Sequence, residues 1–256
     1  MKVGIVTYNL AREWDLPTII ERCKNTGMEG VELRTGHAHG VEVDLNAAQR
    51  KEVRQRFADS PVELAGLGSA FEYHAIDPAE VRRNIEETKE YVKLAADVGA
   101  PGVKVRPNGL NEDKGVPKEQ TLEQIGKALR ECGEFAKGYG IEVRLEVHGR
   151  ETGRLPHIRA IMDAANHDNV FVCWNSNQSD IVDGTVRPSF DLVRGEIRLV
   201  HMRDLYLEDY PWREMLGLLK DSGFNGFCLA EIQESADPER VMRYYRAVWK
   251  AYLGLL

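Results

Sequence analysis

Four polar residues in the second half of the chain each close an apolar run. They are Glu146, Asn175, His201 and Glu231, and they recur at intervals of 29, 26 and 30 residues. An interval of that length holds one strand and one helix. If each run is a parallel strand, the four side chains meet at one end of a single sheet, where their carboxylate, amide and imidazole groups could bind one metal ion and one substrate. The spacing therefore indicates an enzyme site.

Eight apolar runs rich in Val, Ile and Leu alternate with segments of helical period, which is the pattern of βα units. The predicted strands are residues 3–7, 30–34, 62–67, 102–106, 141–148, 170–174, 197–203 and 226–231. The clearest predicted helix runs from Asp77 to Val98, where Asp77 can cap the helix, Pro78 suits the first turn and Glu80 would complete a capping box. The units repeat without interruption.

Glycines mark the predicted helix ends and support one repeated unit. Gly27, Gly99, Gly140 and Gly223 each stand one to three residues before the next strand, where a left-handed cap is expected. No Pro-rich or Ser-rich linker divides the chain. The sequence therefore predicts a single (β/α)8 barrel domain over residues 1–256. The alternative, a doubly wound open sheet, would normally show a Gly-rich phosphate turn after an early strand, and residues 8–14 contain none.

Composition excludes several classes of protein. A net charge of −7 argues against a nucleic-acid partner. The four cysteines form no CxxC pair and indicate neither a zinc knuckle nor a disulfide framework. No signal peptide and no apolar stretch of about 18 residues is present, so neither export nor a membrane partner is expected. We therefore expect a cytoplasmic protein.

Charged residues lie inside three predicted strands, between aliphatic neighbours. Alternate residues of a strand face opposite sides of the sheet. In a barrel the aliphatic residues of these strands would pack on the helices, and the charged residues would face the lumen. Burying an unpaired ion is costly, so these charges must pair with each other, a metal or a ligand. A structural ion network is expected in the lower barrel, formed by Glu32, Lys104, Glu142 and Arg144. Function is expected nearer the carboxyl ends of the strands, at Arg34, Arg106, Glu146 and His148.

The chain resembles the sugar isomerase and epimerase family with xylose-isomerase-like barrels. The resemblance covers nearly the whole chain and rests on the order and spacing of short motifs. These are Gly30-Val31-Glu32-Leu33-Arg34, the helix from Asp77 through Gly99-Ala100, Leu145-Glu146-Val147-His148, Val200-His201-Met202-Arg203-Asp204 and Ala230-Glu231-Ile232. It implies a (β/α)8 barrel that acts on a small sugar or sugar derivative.

The resemblance also implies a divalent metal, such as manganese, magnesium, cobalt or zinc, held by a Glu, an Asp, a His and a second Glu. These places fall on Glu146, Asn175, His201 and Glu231. One motif departs from the family pattern. Where the family commonly has an Asp followed three residues later by a His, this chain has Trp174-Asn175-Ser176-Asn177-Gln178. An amide in place of a carboxylate removes one negative charge and should weaken metal binding, so loss of the metal stays open.

Isomerisation and epimerisation beside a carbonyl both begin with removal of a proton from carbon. The resemblance assigns metal contact and proton transfer to Glu146 and Glu231, and Asp204 or another acceptor could orient the His201 ring. Arg106 and Arg203 could hold a substrate phosphate, carboxylate or hydroxyl, with an ion pair as the alternative. Further substrate-binding candidates are His74 and His148 at the mouth, and Trp14 and Trp174 as walls for a sugar face, with ordinary packing as the alternative for the aromatic residues.

Three other functions remain open at this point. A dehydratase or lyase acting on a keto-polyol needs the same first proton abstraction. A noncatalytic sugar-binding barrel would explain Asn175 and Gln178. A metal-dependent nuclease would need a basic surface, which this chain lacks. Tyr245, Trp249 and Tyr252 have helical spacing and are expected to pack the last helix on the barrel, and a homo-oligomer stays open.

Overall fold

The computed structural model describes residues 1–255 and shows a closed barrel of eight parallel strands. The strands, β1 to β8 in chain order, are Lys2–Val6, Gly30–Arg34, Glu63–Glu72, Gly102–Arg106, Glu142–Glu146, Val170–Asn175, Ile197–Met202 and Phe227–Ala230. Each strand pairs with its neighbours in the sequence, and β1 closes the barrel by pairing with β8. The predicted (β/α)8 fold is confirmed.

Eight α-helices alternate with the strands. In chain order, α1 to α8 are Leu16–Thr26, Ala47–Ala58, Pro78–Val98, Lys118–Lys137, Leu155–Ala165, Arg187–Asp191, Trp212–Asp221 and Pro238–Tyr252. Two short 3₁₀ turns, Glu112–Lys114 and Gln178–Asp180, lie in the loops after β4 and β6. Within residues 1–255, no helix combines the length and the apolar character that crossing a membrane requires.

Local signals explain where α3 begins and ends. The Asp77 side chain accepts a hydrogen bond from the Ala79 amide, and Pro78 occupies the first turn. Gly99 ends the helix with a φ of 83°, in the left-handed region that favours glycine. The predicted capping box with Glu80 is wrong, because the Asp77 side chain bonds Ala79 instead of the amide of Glu80.

The strands divide their side chains between two layers. Val31 and Leu33 are fully buried in the large core between strands and helices, whereas Glu32 lies between them on the lumen side. A small apolar cluster fills the lumen itself and consists of Val6, Ala65, Cys173, Leu199 and Leu229. The charged residues stand on this lumen face, as predicted.

Several strands end earlier or later than the sequence predicts. β3 continues to Glu72, five residues beyond the predicted end, whereas β5, β7 and β8 stop at Glu146, Met202 and Ala230. Glu231 still donates its backbone N–H to the Met202 carbonyl at 2.8 Å, so its position is fixed one residue past the strand. His148, Arg203 and Glu231 therefore belong to the loops that line the mouth of the barrel.

Candidate active site

Glu146, His201 and Glu231 converge at the carboxyl ends of β5, β7 and β8. The Nδ1 atom of His201 lies 3.3 Å from Oε1 of Glu146 and 4.0 Å from Oε2 of Glu231. One donor atom from each residue falls within 4.8 Å of the other two. Three of the four predicted metal ligands thus share one site, although they are separated by 85 residues of sequence.

Asn175 lies beside this group at the end of β6. Its amide nitrogen donates a hydrogen bond to Oε1 of Glu146 at 3.2 Å. The amide nitrogen, and not the carbonyl oxygen, therefore faces the carboxylate. Its location at the site agrees with the prediction, and its role as a metal ligand stays a prediction.

Lys104 contributes a cation that the sequence interpretation placed elsewhere. Its ammonium nitrogen lies 2.7 Å from Oε2 of Glu146, and both side chains are buried. Burial alone would raise the pKa of Glu146, but the charge of Lys104 and the contact with His201 outweigh it and hold that pKa well below its usual range. Burial likewise opposes the charge of Lys104, but Glu146 and Glu32 raise its pKa. The two residues form a fully ionised pair.

Glu32 faces the other ring nitrogen of His201. Its Oε1 lies 3.2 Å from Nε2 of His201, and both side chains are 1% exposed. Gly68 makes room for this carboxylate, because a Cβ at that position would lie only 2.7 Å from Oε1 of Glu32. Among residues 1–255, His201 has no hydrogen bond to Asp204. Asp204 therefore does not orient the ring, and Glu32 is the other acceptor that the sequence left open.

The predicted lower ion network splits into two groups. Arg144 pairs with Glu142 at 2.7 Å and donates to the Ala65 carbonyl, deep in the lower barrel. Glu32 and Lys104 instead reach upward to His201 and Glu146. The prediction holds for Glu142 and Arg144 and is wrong for the other two. The sequence predicts that Glu32 and Lys104 face the lumen, but it does not predict how far along the barrel axis their side chains reach.

The protonation of the central residues follows from their burial and charge. Burial raises the pKa of Glu231. Burial works to lower the pKa of His201, but its contacts with Cys173, Glu32 and Glu146 raise it well above its usual value. Without a metal, a proton on His201 thus compensates part of the surrounding negative charge.

Three predicted substrate-binding residues lie on the β3–β5 side of the mouth. Arg106 pairs with Glu72 at 2.7 Å, and the Nδ1 atom of His74 lies 3.7 Å from the same carboxylate. His148 is fixed by a 2.8 Å hydrogen bond between Nδ1 and the Asn108 side chain. Burial lowers the pKa of His148, so its ring is neutral at physiological pH. The ion pair that was the alternative for Arg106 is present, and its Nε atom is buried without a partner.

Arg203 stands in the loop after β7, where its guanidinium pairs with Asp209 at 2.8 Å and lies over the Tyr210 ring. Trp174 does not line the mouth. It is fully buried on the helix-facing side of β6 and donates to the Tyr210 hydroxyl at 3.0 Å. Its prediction as a sugar wall is wrong, because Asn175 takes the lumen-facing position of that strand.

Trp14 lies in the loop after β1 and packs against the large core. The Arg22 guanidinium of α1 covers its ring at 4.3 Å from the centroid. These are packing contacts, and the role of Trp14 as a wall for a sugar face stays a prediction. Tyr245 and Trp249 lie on the buried face of α8 and pack that helix on the barrel, as predicted, and the Tyr245 hydroxyl donates to the Met202 and Arg203 carbonyls.

The donor set fits a divalent metal ion. Carboxylate and imidazole are ligand types that manganese, cobalt and zinc accept, and three such donors point at one another. Both oxygens of Glu32 and Nε2 of His201 are buried without a hydrogen-bond partner in residues 1–255. A metal on Nδ1 would fix the proton on Nε2, opposite Glu32, which is the carboxylate–histidine–metal arrangement. The site holds three carboxylates, of Glu32, Glu146 and Glu231, and one ammonium, of Lys104. The net charge of these four groups is −2, which a divalent cation would neutralise.

Comparison with known proteins agrees with this architecture. The sequence model of one family, described as xylose isomerase-like TIM barrel, matches residues 20–252. No curated protein sequence matches the chain.

Among solved structures, D-psicose 3-epimerase with D-tagatose from Clostridium cellulolyticum H10 shares 15% identity over 99% of both chains, with a TM-score of 0.82. A 3-keto-D-glucoside 4-epimerase from E. coli, in its apo form, shares 15% identity over 98% of this chain and 99% of its own, with a TM-score of 0.79. The IolI protein with a bound zinc atom shares 18% identity over 99% of this chain and 96% of its own, with a TM-score of 0.75. At these identities the similarity establishes a shared fold.

Proposed function

The chain belongs to the xylose isomerase-like TIM barrel family, and on that premise we propose that it isomerises or epimerises a sugar or sugar derivative. The observation that carries the proposal is the placement of two carboxylates, Glu146 and Glu231, at 3.3 Å and 4.0 Å from one imidazole nitrogen of His201. Proton transfer beside a carbonyl needs a base, an acid and stabilisation of the charge that develops on oxygen. Sugar epimerases among the structural neighbours support the same reaction class.

Glu231 is the better base of the two. Burial raises its pKa, which gives it greater affinity for a proton taken from carbon. Its position just past β8 leaves it 19% exposed, so a substrate in the mouth can reach it. We assign the first proton abstraction to Glu231.

Glu146 serves the opposite side of the bound sugar. An epimerisation returns the proton to the other face of the same carbon, which requires a second group. We assign this group to Glu146, which has to take up a proton before it returns one to carbon, and the ammonium of Lys104 holds its carboxylate in place at 2.7 Å. Lys104 also places a positive charge in the lumen, where negative charge develops on the substrate oxygens.

A divalent metal would be held by Glu146, His201 and Glu231, with the Asn175 oxygen as a fourth ligand. When bound, it supplies Lewis-acid stabilisation of the enediolate oxygens. Glu32 then keeps the His201 ring in place through its contact with Nε2. His148, neutral and fixed by Asn108, is positioned to bond a substrate hydroxyl.

The test combines metal analysis with isotope exchange. Purified protein is assayed for bound metal and then incubated with a panel of ketoses in heavy water, and deuterium incorporation at carbon is measured by NMR. We expect wash-in for at least one ketose, and Glu231→Gln and Glu146→Gln should each lower its rate on the order of 10²–10⁴-fold. Glu142→Gln, which changes a carboxylate at the floor of the barrel, should keep the parent rate. No wash-in for any ketose, or equal rates in all four proteins, would overturn the proposal.

A further inference from the structure

Arg34 is a partly buried guanidinium without a polar partner. It ends β2, and its charge carries no hydrogen bond and no ion pair among residues 1–255. Arg106 and Arg203, two other arginines of the mouth, differ, because Arg106 pairs with Glu72 and Arg203 pairs with Asp209. The charge of Arg34 is thus still available to a ligand.

The position of Arg34 is fixed by its neighbours. Its guanidinium lies 5.3 Å from the centroid of the Tyr8 ring, and its backbone N–H donates to the Thr7 hydroxyl at 2.9 Å. Tyr8 in turn packs against the apolar cluster that fills the lumen. Stacking on an aromatic ring orients a guanidinium and leaves its edge donors free. The residue is therefore held in place with its hydrogen-bonding capacity unused.

Arg34 also stands at the level that a substrate occupies. Two residues below it on the same face of β2, Glu32 crosses the lumen and touches His201. Two residues of strand rise by roughly 6.6 Å, which places Arg34 one layer above the His201 cluster. On that layer its charge acts on Glu231, the proposed base. A sugar bound over His201 would present one end to Arg34.

We propose that Arg34 binds an anionic group, a carboxylate or a phosphate, carried by the sugar substrate. This inference deepens the proposed function, because it names the substrate class of the same site. A guanidinium bonds either anion through two parallel N–H groups, and such charge-assisted bonds are stronger than neutral ones. A neutral sugar leaves Arg34 without its partner. The site thus selects sugar acids or sugar phosphates over neutral sugars.

The test measures equilibrium binding, separately from turnover. Isothermal titration calorimetry compares D-fructose with D-fructuronate and D-fructose 6-phosphate, which differ from it by one carboxylate or one phosphate. The parent should bind one of the two anions at least tenfold more tightly than D-fructose, on the order of one charge-assisted bond. The anion that binds identifies which group the site accepts. Arg34→Gln should abolish this preference, and Arg34→Lys should keep part of it.

Arg213→Gln is the matched control, because Arg213 also stacks on a tyrosine, at 4.8 Å from the centroid of Tyr252, but outside the barrel. It should retain the parent preference. A parent that does not distinguish the three sugars overturns the inference, whether or not Arg34→Gln folds, and so does a folded Arg34→Gln protein that keeps the preference.

The two proposals fail separately. Deuterium wash-in without any preference for anions leaves the proposed function standing and removes the role of Arg34. A preference for anions that depends on Arg34, with no wash-in for the neutral or anionic ketoses, keeps the anion site and removes the isomerase proposal.

Discussion

The ammonium group of Lys104 and the carboxylate of Glu146 lie 2.7 Å apart in the lumen, and their side chains are only 4% and 3% exposed. A buried pair of this kind contributes little net stability while it is intact, but it is costly to break, because the remaining ion has no solvent. The pair also occupies one oxygen of the central carboxylate and leaves the other oxygen to face His201 and Asn175. The Lys104–Glu146 pair therefore affects both the stability of the barrel and the net charge of the site.

Replacing Lys104 with methionine should destabilise the metal-free protein by about 3–5 kcal/mol, because the buried carboxylate of Glu146 would lose its ammonium partner. Manganese should restore part of that loss, since a dication can take the place of the ammonium. Urea unfolding with and without manganese measures both effects. Lys93→Met, which removes an exposed pair with Glu90, should cost no more than about 1 kcal/mol. Equal stability of the Lys104→Met and Lys93→Met proteins would contradict this account.

Glu32→Gln should weaken divalent metal binding about 10- to 100-fold, because the amide holds the His201 ring less firmly than a carboxylate does. Titration with manganese or zinc, followed by calorimetry, measures the affinity without reference to turnover. Glu63→Gln, on the neighbouring strand but exposed beside Lys2, should bind metal like the parent. An unchanged affinity in Glu32→Gln would show that Glu32 does not support the metal ligand.

Asn175→Asp should tighten metal binding by roughly tenfold or more, since it restores a carboxylate next to Glu146 and His201. The same substitution should destabilise the metal-free protein, because a further negative charge would face Glu146 at the distance now spanned by a hydrogen bond. Calorimetric titration and urea unfolding of the metal-free protein provide the two readouts. If metal affinity stays at the parent value, Asn175 does not contact the metal.

The buried carboxyl of Asp180 should make the free energy of unfolding depend on pH, independently of the metal centre. Burial raises the pKa of this carboxyl to about 7 from its ordinary 3.8. The folded state therefore binds the proton more tightly than the unfolded state, so this contribution to stability is complete below about pH 4 and is lost as the pH rises through 7. As the pH rises from about 4 to above 7, the contribution of Asp180 to the free energy of unfolding falls by at most about 4 kcal/mol.

Asp180→Asn removes this titration, and the variant should be more stable than the parent at about pH 8 and show a smaller change between about pH 5 and pH 8. Urea unfolding at both pH values measures the difference. Asp44→Asn, at an exposed position, should follow the parent curve. Parallel curves for the parent and Asp180→Asn would show that Asp180 titrates at its ordinary pKa.

The fold could be predicted from the sequence because its signals are local and repeated. Alternation of apolar strands with helical segments specified eight βα units, and the strand ends at Glu146, Asn175, His201 and Glu231 specified which edge of the sheet carries polar groups. The alternation of aliphatic and charged residues along the strands also identified the charged side chains as the ones that face the lumen. These features depend only on the periods of 2 and 3.6 residues.

What could not be predicted depends on how far side chains reach and on what faces them. The alternation of side chains along a strand places Glu32 and Lys104 on the lumen face. It does not predict that Glu32 reaches His201 or that Lys104 reaches Glu146, because these contacts depend on the missing side chain at Gly68 and on partners across the barrel. Trp174 was predicted as a wall for a sugar face, whereas the alternation of side chains along β6 directs it toward the helices, where it is fully buried. The lumen-facing position at that strand end belongs to Asn175.

The groups around His201 come from both halves of the polypeptide. Glu32 and Lys104 belong to the first four strands, whereas Glu146, His201 and Glu231 belong to the last four. The ammonium of Lys104 pairs with Glu146 and the carboxylate of Glu32 faces His201, so each half supplies a charge of opposite sign to a group of the other half. The proposed reaction centre is therefore complete only in the closed cylinder, and neither half of the barrel can form it alone.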